Sequence, residues 1–343
     1  MARTLIVLPD DTAKPVLEAI DAAQRSLRIK MFVFSDPALV RAVIAAKRRG
    51  VSARVLLNPH RRSGEQENAA SRRALERAGV PVKDANPAFE VTHEKSMVVD
   101  DSAAFVKSFN WTAKDLSETR DYAVITTHEH DVADISDCFD ADWRRHSFTP
   151  RADSHLLWSP NDGRDRVCGF IDAARDRLVV QSERIQDMLV IDALLRAARR
   201  GVKVHVMAKA PHTLKREKLV EAVGGLRILH DSGIKVRKLK GLKLHGKMLL
   251  ADGVAAIVGS MNLAPGSFDT RRELAIEVRD ADVIDRLQKL THHDWKDSRP
   301  LDLSDEGLLA DLESRVEDAS TLLALNAKSA GRRAKHGFER FTR

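Results

Sequence analysis

His93-Glu94-Lys95-Ser96-Met97-Val98-Val99-Asp100 and His245-Gly246-Lys247-Met248-Leu249-Leu250-Ala251-Asp252 are the two stretches on which the reading of the fold turns. Each sets a histidine, then a lysine two residues on, then an aspartate at the end of a mainly apolar run. The register is constant: 93 to 245, 95 to 247 and 100 to 252 are each separated by 152 positions. The residues that follow keep it. Ser108 and Asn110 correspond to Ser260 and Asn262, and the acid Asp121 to the acid Glu273. One register held across scattered polar positions marks an internal duplication.

Outward from the motifs the repeat continues. Ile20-Asp21-Ala22-Ala23 recurs as Ile171-Asp172-Ala173-Ala174, Gly50-Val51 as Gly201-Val202, and Asp142-Trp143 as Asp294-Trp295. The unit is about 150 residues, the size of one domain. Apolar periodicity within it alternates between strands and helices. Leu5–Leu8, Leu27–Phe34, Val51–Asn58, Ala104–Ser108 and Tyr122–Thr127 read as strands. Thr12–Ser26 reads as a helix, and Asp36-Pro37 caps and opens another that stops at Gly50. Val91–Val99 and Leu242–Leu250 read as the motif strands, and a strand period of two puts His93 and Lys95 on one face. The expected architecture is α/β: two similar α/β/α domains in tandem, residues 1–149 and 150–300, related by a pseudo-twofold around a shared central site. Residues 301–343 read as an appendage, a helix over Leu303–Leu325 and then a basic tail with Phe338 and Phe341.

Composition narrows the class. The chain has 343 residues, a net charge of +7 and a pI near 9.4, which favours polyanionic partners. No apolar run reaches the ~18 residues of a membrane span. The N-terminal apolar stretch is too short for a signal peptide and reads as a strand. Cys138 and Cys168 are the only cysteines and read as buried thiols, which points to a reducing cytoplasm.

The repeated residues suit a phosphodiester. Lysine ammonium groups and Asn and Ser donors hold charged phosphoryl oxygens. Histidine serves as nucleophile at phosphorus or as a proton donor to the leaving oxygen. The carboxylates Asp121 and Glu273 can bond the remaining ring nitrogen and select a tautomer. Two copies facing each other supply nucleophile and acid on opposite sides of one phosphorus. The candidate catalytic set is therefore His93, Lys95, Asn110, Asp121, His245, Lys247, Asn262 and Glu273. Ser108, Ser260 and Trp111 are candidates for substrate contact, Trp111 as a residue at the site mouth. Phe32, Phe34 and Phe109 are alternatives for an apolar rim. Asp100 and Asp252 read as structural, bonding across the duplication.

These motifs resemble the phospholipase D superfamily, whose repeat carries His-x-Lys-x4-Asp-x6-Gly-Ser/Thr-x-Asn. The second copy fits through Gly259-Ser260-Met261-Asn262, while the first has Lys107 where the family has glycine. A position that needs φ > 0 or a close backbone approach would make that lysine costly. Leu156-Leu157-Trp158-Ser159-Pro160 and the two-copy layout resemble the bacterial cardiolipin synthase and phospholipase D-like group. The resemblance implies a phosphohistidine intermediate, with His93 as nucleophile, His245 as acid and base, and no metal or other cofactor. His128-Glu129-His130 and His292-His293-Asp294 invite a metal reading but fit solvated histidines near helix starts better. The implied substrate is a phospholipid, with a nucleic-acid phosphodiester and a metal-independent nuclease as the alternative. Contact with an anionic membrane would be peripheral, through the basic tail. Two half-sites in one chain remove the need for a dimer without forbidding one.

Overall fold

The computed structural model describes residues 3–60, 66–151, 154–209, 216–304 and 306, and side chains within 216–222 are not among those described. The first half runs β1 (Thr4–Leu8), α1 (Lys14–Ala22), β2 (Ser26–Met31), α2 (Pro37–Arg48), β3 (Ser52–Leu57), α3 (Ala69–Arg77), β4 (Val82–Asp84), β5 (Ser96–Val99), β6 (Ala103–Lys107), α4 (Ala113–Ser117), β7 (Thr119–Thr126) and α5 (Glu129–Arg144). The second runs β8 (Leu156–Ser159), α6 (Gly163–Ala173), β9 (Arg177–Ser182), α7 (Met188–Arg199), β10 (Lys203–Ala208), α8 (Arg216–Asp231), β11 (Lys235–Leu239), β12 (Lys243–Leu244), β13 (Lys247–Ala251), β14 (Ala255–Gly259), α9 (Pro265–Asp269), β15 (Glu273–Val278), α10 (Ala281–Lys296) and β16 (Ser298–Pro300).

The two sheets have matching orders. The first is β1-β7-β6-β5-β2-β3-β4, and the second is β8-β15-β14-β13-β9-β10-β11 with β16 added at the edge. β2, β3 and β4 pair parallel, as do β9, β10 and β11, while the remaining ladder pairs within each sheet are antiparallel. Parallel neighbours need crossover helices, which α2 and α3 supply in the first half and α7 and α8 in the second. The first of each, α2 and α7, are opened by the same device. Asp36 accepts from the backbone N–H groups of Ala38 and Leu39. Asp187 accepts from Leu189 and Val190.

Three apolar cores result among the described residues. One packs the outer face of the first sheet against α1, α2 and α3, around Val16, Leu39, Val43 and Leu75. Its counterpart packs the second sheet against α6, α7 and α8, around Val167, Leu194 and Leu229. The third lies between the halves and draws on both: Val98, Val106 and Tyr122 meet Trp158, Met248 and Val258, with Ile135 of α5 and Leu287 of α10.

Two expectations change here. The motif strands are shorter than the apolar pattern suggested, because β5 begins at Ser96 and β13 at Lys247. The histidines sit just before them, in segments that pair with the other half. The N–H groups of His93 and Glu94 donate to Arg272 O, each at 2.9 Å. Those of His245 and Gly246 donate to Arg120 O at 3.3 and 2.8 Å. β12 likewise runs parallel to β7 of the first half. Cys138 is buried as expected, but Cys168 is only partly so. The expected helix after Leu303 and the basic tail lie outside the described residues.

Candidate active site

Each motif histidine is held by the acid of the opposite half. His93 Nδ1 lies 2.8 Å from Glu273 Oε2. His245 Nδ1 lies 3.0 Å from both Asp121 oxygens. Both carboxylates are fully buried. Burial alone would raise their pKa values, but the neighbouring imidazoles, by charge and hydrogen bond, hold Asp121 and Glu273 below the usual carboxylate range. An acceptor carboxylate on Nδ1 fixes the Nδ1–H tautomer and leaves the Nε2 lone pair for chemistry.

The lysines are placed by the same local turn. Lys95 Nζ donates to His93 O at 2.6 Å, and Lys247 Nζ donates to His245 O. Burial drives Lys95 down to about 7, with Glu273 opposing and Lys247 adding to the fall. Burial also pushes His93 down to about 3, against the raising influence of Glu273. His93 is therefore an uncharged imidazole at neutral pH.

The serines, asparagines and aspartates of the motif have other partners. Ser108 Oγ donates to Asp121 Oδ1 at 2.5 Å. Ser260 Oγ donates to Leu274 O and accepts from Leu274 N. Both serines are fully buried and bonded to the acid-bearing strands, whereas the sequence reading made them candidates for substrate contact. Asn110 Nδ2 donates to Asp115 at 2.8 Å and its Oδ1 accepts from Val33 N. Asn262 Oδ1 is buried with no hydrogen-bond partner among the described residues. Asp100 does not bond across the duplication. It accepts from the N–H groups of Gln24, Arg25 and Ser26 in its own half. Asp252 does the same with Arg175, Asp176 and Arg177. Each aspartate anchors the start of the strand beside its motif strand, β2 or β9.

Trp111 is not at a mouth. It is fully buried in the first core, with its ring edge-on to Phe34 at 4.7 Å. Phe34 and Phe109 are core residues too. Phe32 alone of the rim candidates reaches the site, its ring 4.9 Å from that of His93. Lys107 is buried over the Trp111 ring and pushed by burial down to about 7. At Gly259, its counterpart, φ is not positive, but an added Cβ would fall 2.4 Å from Ala275 Cα. Close approach is thus the reason for glycine in the second half.

The duplication also breaks at positions the sequence reading passed over. Glu183, 151 positions after Phe32, brings a carboxylate to the second half-site. Its Oε2 is 3.9 Å from His245 Nε2 and 3.6 Å from Lys247 Nζ, and its Oε1 accepts from Lys209 at 2.9 Å. Burial works against its charge, but Lys247, Lys209 and His245 hold it well below the usual range. Comparing the two halves for mismatches, and not only matches, would have exposed it.

Two buried ion networks join the halves. Arg272 reaches Asp142 at 3.3 Å, and Arg120 makes a paired contact with Asp294 at 3.1 Å. Arg120 and Asp142 belong to the first half and Arg272 and Asp294 to the second, so both pairs cross the boundary. Glu94, Cys138 and Asp142 surround a cation, but the cation is Lys30, whose Nζ lies 2.9 Å from Glu94 and 2.8 Å from Asp142. His292 and His293 are exposed, and Asp294 is held by Arg120 and Gln181. His128 meets Asp131 and His155, with Asp131 also paired to Arg3.

A family model described as "Cardiolipin synthase, PLD-like domain" matches residues 16–143 and, a second time, 167–295. The chain belongs to this phospholipase D-like family. Among curated proteins, cardiolipin synthase B of Salmonella typhi is 27% identical over 331 residues, covering 82% of this chain and 78% of its own. Mitochondrial cardiolipin hydrolase of Homo sapiens is 30% identical over 151 residues, covering 42% of this chain and 58% of its own. Phosphatidylserine synthase of Haemophilus influenzae superposes with a TM-score of 0.71 at 10% identity, over 93% of this chain and 94% of that one. At that identity the likeness is one of fold. The phospholipase D-like protein is thus an enzyme of the phosphodiesterase and phosphatidyltransferase class. No helix among its described residues is long and apolar enough to cross a membrane.

Proposed function

We propose that the protein is a phosphatidyltransferase or phospholipase of the phospholipase D type, acting on phospholipid through a phosphohistidine and without a metal. The observation that carries this reading is the crossed pair of imidazoles, each with Nδ1 bonded to a buried carboxylate of the other half. The likeness to cardiolipin synthase B supports phospholipid as the substrate class.

His93 Nε2 attacks phosphorus, and the bond from phosphorus to the leaving oxygen breaks. His245 enters this step with both ring nitrogens protonated, its Nδ1–H held by Asp121, and the leaving alkoxide takes the proton on Nε2. Water or an acceptor alcohol then gives its proton to His245 and attacks phosphorus, and the bond to His93 Nε2 breaks. The uncharged state of His93 at neutral pH supports it as the nucleophile. His245 is faced by two carboxylates, Asp121 at Nδ1 and Glu183 near Nε2, which suits the proton-carrying role. Lys95 and Lys247 supply the positive charge for the phosphoryl oxygens, so this route needs no metal.

The test is turnover in EDTA on anionic phospholipid vesicles and, in parallel, on single- and double-stranded DNA. Headgroup release or phosphatidyl transfer is expected, reduced about 10³-fold or more in His93→Ala and in His245→Ala. DNA cleavage without lipid turnover would make the protein the nuclease that its basic charge allows. Loss of activity in EDTA, restored by a divalent ion, would sink the metal-free route.

A further inference from the structure

Asp131, in the first turn of α5, uses only one of its carboxylate oxygens for hydrogen bonds. Oδ2 accepts from Arg3 Nη2 and from Thr126 Oγ1, each at 2.8 Å, and from Arg3 Nε at 3.2 Å. Oδ1 is buried and has no hydrogen-bond partner among the described residues. His155 Nδ1 stands 3.4 Å from Asp131 Oδ1. His128, the residue that opens α5, has an Nδ1 that is likewise buried without a hydrogen-bond partner among the described residues. One nitrogen from each histidine and one oxygen of Asp131 lie within 4.8 Å of one another. The sequence reading took His128 and His130 for solvated side chains. That holds for His130, which is exposed, but not for His128.

Two buried, unanswered polar atoms beside a third ligand-type atom call for something that binds all three. The local charge favours a cation. Arg3 serves Asp280 as well as Asp131, so one guanidinium answers two carboxylates and one negative charge is left over. The donor set is two imidazole nitrogens and one carboxylate oxygen, which suits zinc and its neighbours better than magnesium or calcium, whose ligands are oxygens. Ligands about 2.1 Å from a tetrahedral ion stand about 3.4 Å apart, the separation found between His155 Nδ1 and Asp131 Oδ1. Arg3 and Thr126 fix Oδ2 and so aim Oδ1, the part played by groups that orient a metal's ligands.

We propose that His128, Asp131 and His155 form a binding site for a divalent transition ion of the zinc type, which staples the two halves together. His128 and Asp131 belong to the first half, and His155 leads into β8 of the second. The site is not a copy of anything in the repeat: His128, Asp131 and His155 fall opposite Asp280, Val283 and Thr4. It also stands apart from the paired imidazoles. Asp121, which bonds His245, lies near the start of β7, and His128 lies past the end of that strand. The fourth position is left to water, since His155 is half-exposed.

The test is zinc titrated by calorimetry into the full chain after chelator treatment, beside thermal melts. The wild type is expected to take up zinc at one site with Kd of about 1 μM or tighter at neutral pH. Its melting temperature should rise by about 3–6 °C at a hundredfold excess over Kd. His155→Ala, at a half-exposed position, should weaken binding roughly 100-fold, and His128→Ala/His155→Ala should abolish both the binding and the thermal shift. His292→Ala/His293→Ala, which removes two exposed histidines elsewhere, should retain both. Cobalt in place of zinc gives a visible absorption band when held by few ligands, and that band should appear in the wild type and vanish in His128→Ala/His155→Ala. A wild type that takes up no zinc would overturn the site and leave His155 and Asp131 as an ion pair. Undiminished binding in His128→Ala/His155→Ala, or equal loss in the His292 and His293 control, would overturn it as well.

Discussion

At the scale of single residues, the proposed chemistry depends on which proton sits where. Glu273 and Asp121 set the tautomers of His93 and His245 from across the half boundary. Glu273→Gln and Asp121→Asn keep the shape but can present an N–H to Nδ1, which favours the wrong tautomer. Each is expected to lower kcat by roughly 10²–10⁴-fold without a matching loss of stability, as judged by steady-state rates beside thermal melts. Lys95 carries a pH dependence. Its pKa near 7 means that the free enzyme loses this charge as pH rises through neutrality. kcat/KM, which reports the free enzyme, should then fall about tenfold per pH unit above 7. Lys95→Arg, with a guanidinium that stays charged, should be slower but lose that alkaline limb. A limb that persists unchanged in Lys95→Arg would assign it to another group.

At the scale of elements, the motif aspartates act on strand starts. Asp100 accepts three successive backbone N–H groups at the entry to β2, and Asp252 three at the entry to β9. Asp100→Ala is expected to cost about 1–3 kcal/mol in a denaturant melt, the net worth of three hydrogen bonds whose donors are largely open to water. The helix entries at Asp36 and Asp187 were legible in sequence, because a cap and its following residues are local. The limits of the motif strands were not. An apolar run marks where a strand can go, but whether Val91–Lys95 joins its own sheet or pairs with Arg272 is decided by a partner far along the chain.

At the scale of the molecule, the halves are bound by a shared apolar core and by the crossed pairs Arg120–Asp294 and Arg272–Asp142. Removing Arg120 leaves the buried Asp294 without its cation, whereas Asp142 keeps Lys30 when Arg272 is removed. Arg120→Ala should destabilise by roughly 3–5 kcal/mol in equilibrium unfolding, well above the cost of an exposed arginine, and Arg272→Ala by less. A loss under about 1 kcal/mol would mean that the halves are held by apolar packing alone.

The repeat, the α/β class and the identity of the histidines, lysines and acids followed from sequence, because a duplication preserves spacing and spacing is visible along one chain. The pairing of each histidine with the opposite acid did not follow, since bonding within a half and bonding across halves leave the same pattern of residue types. Trp111 next to Asn110 read equally as mouth or core, and only the packing around Phe34 assigned it to the core. Glu183 stands opposite Phe32 and has no acidic counterpart in the other half, so no repeat flagged it. Tertiary structure alone decided those contacts, because they join residues far apart in the chain, and one-dimensional periodicity carries no information about which distant side chains meet.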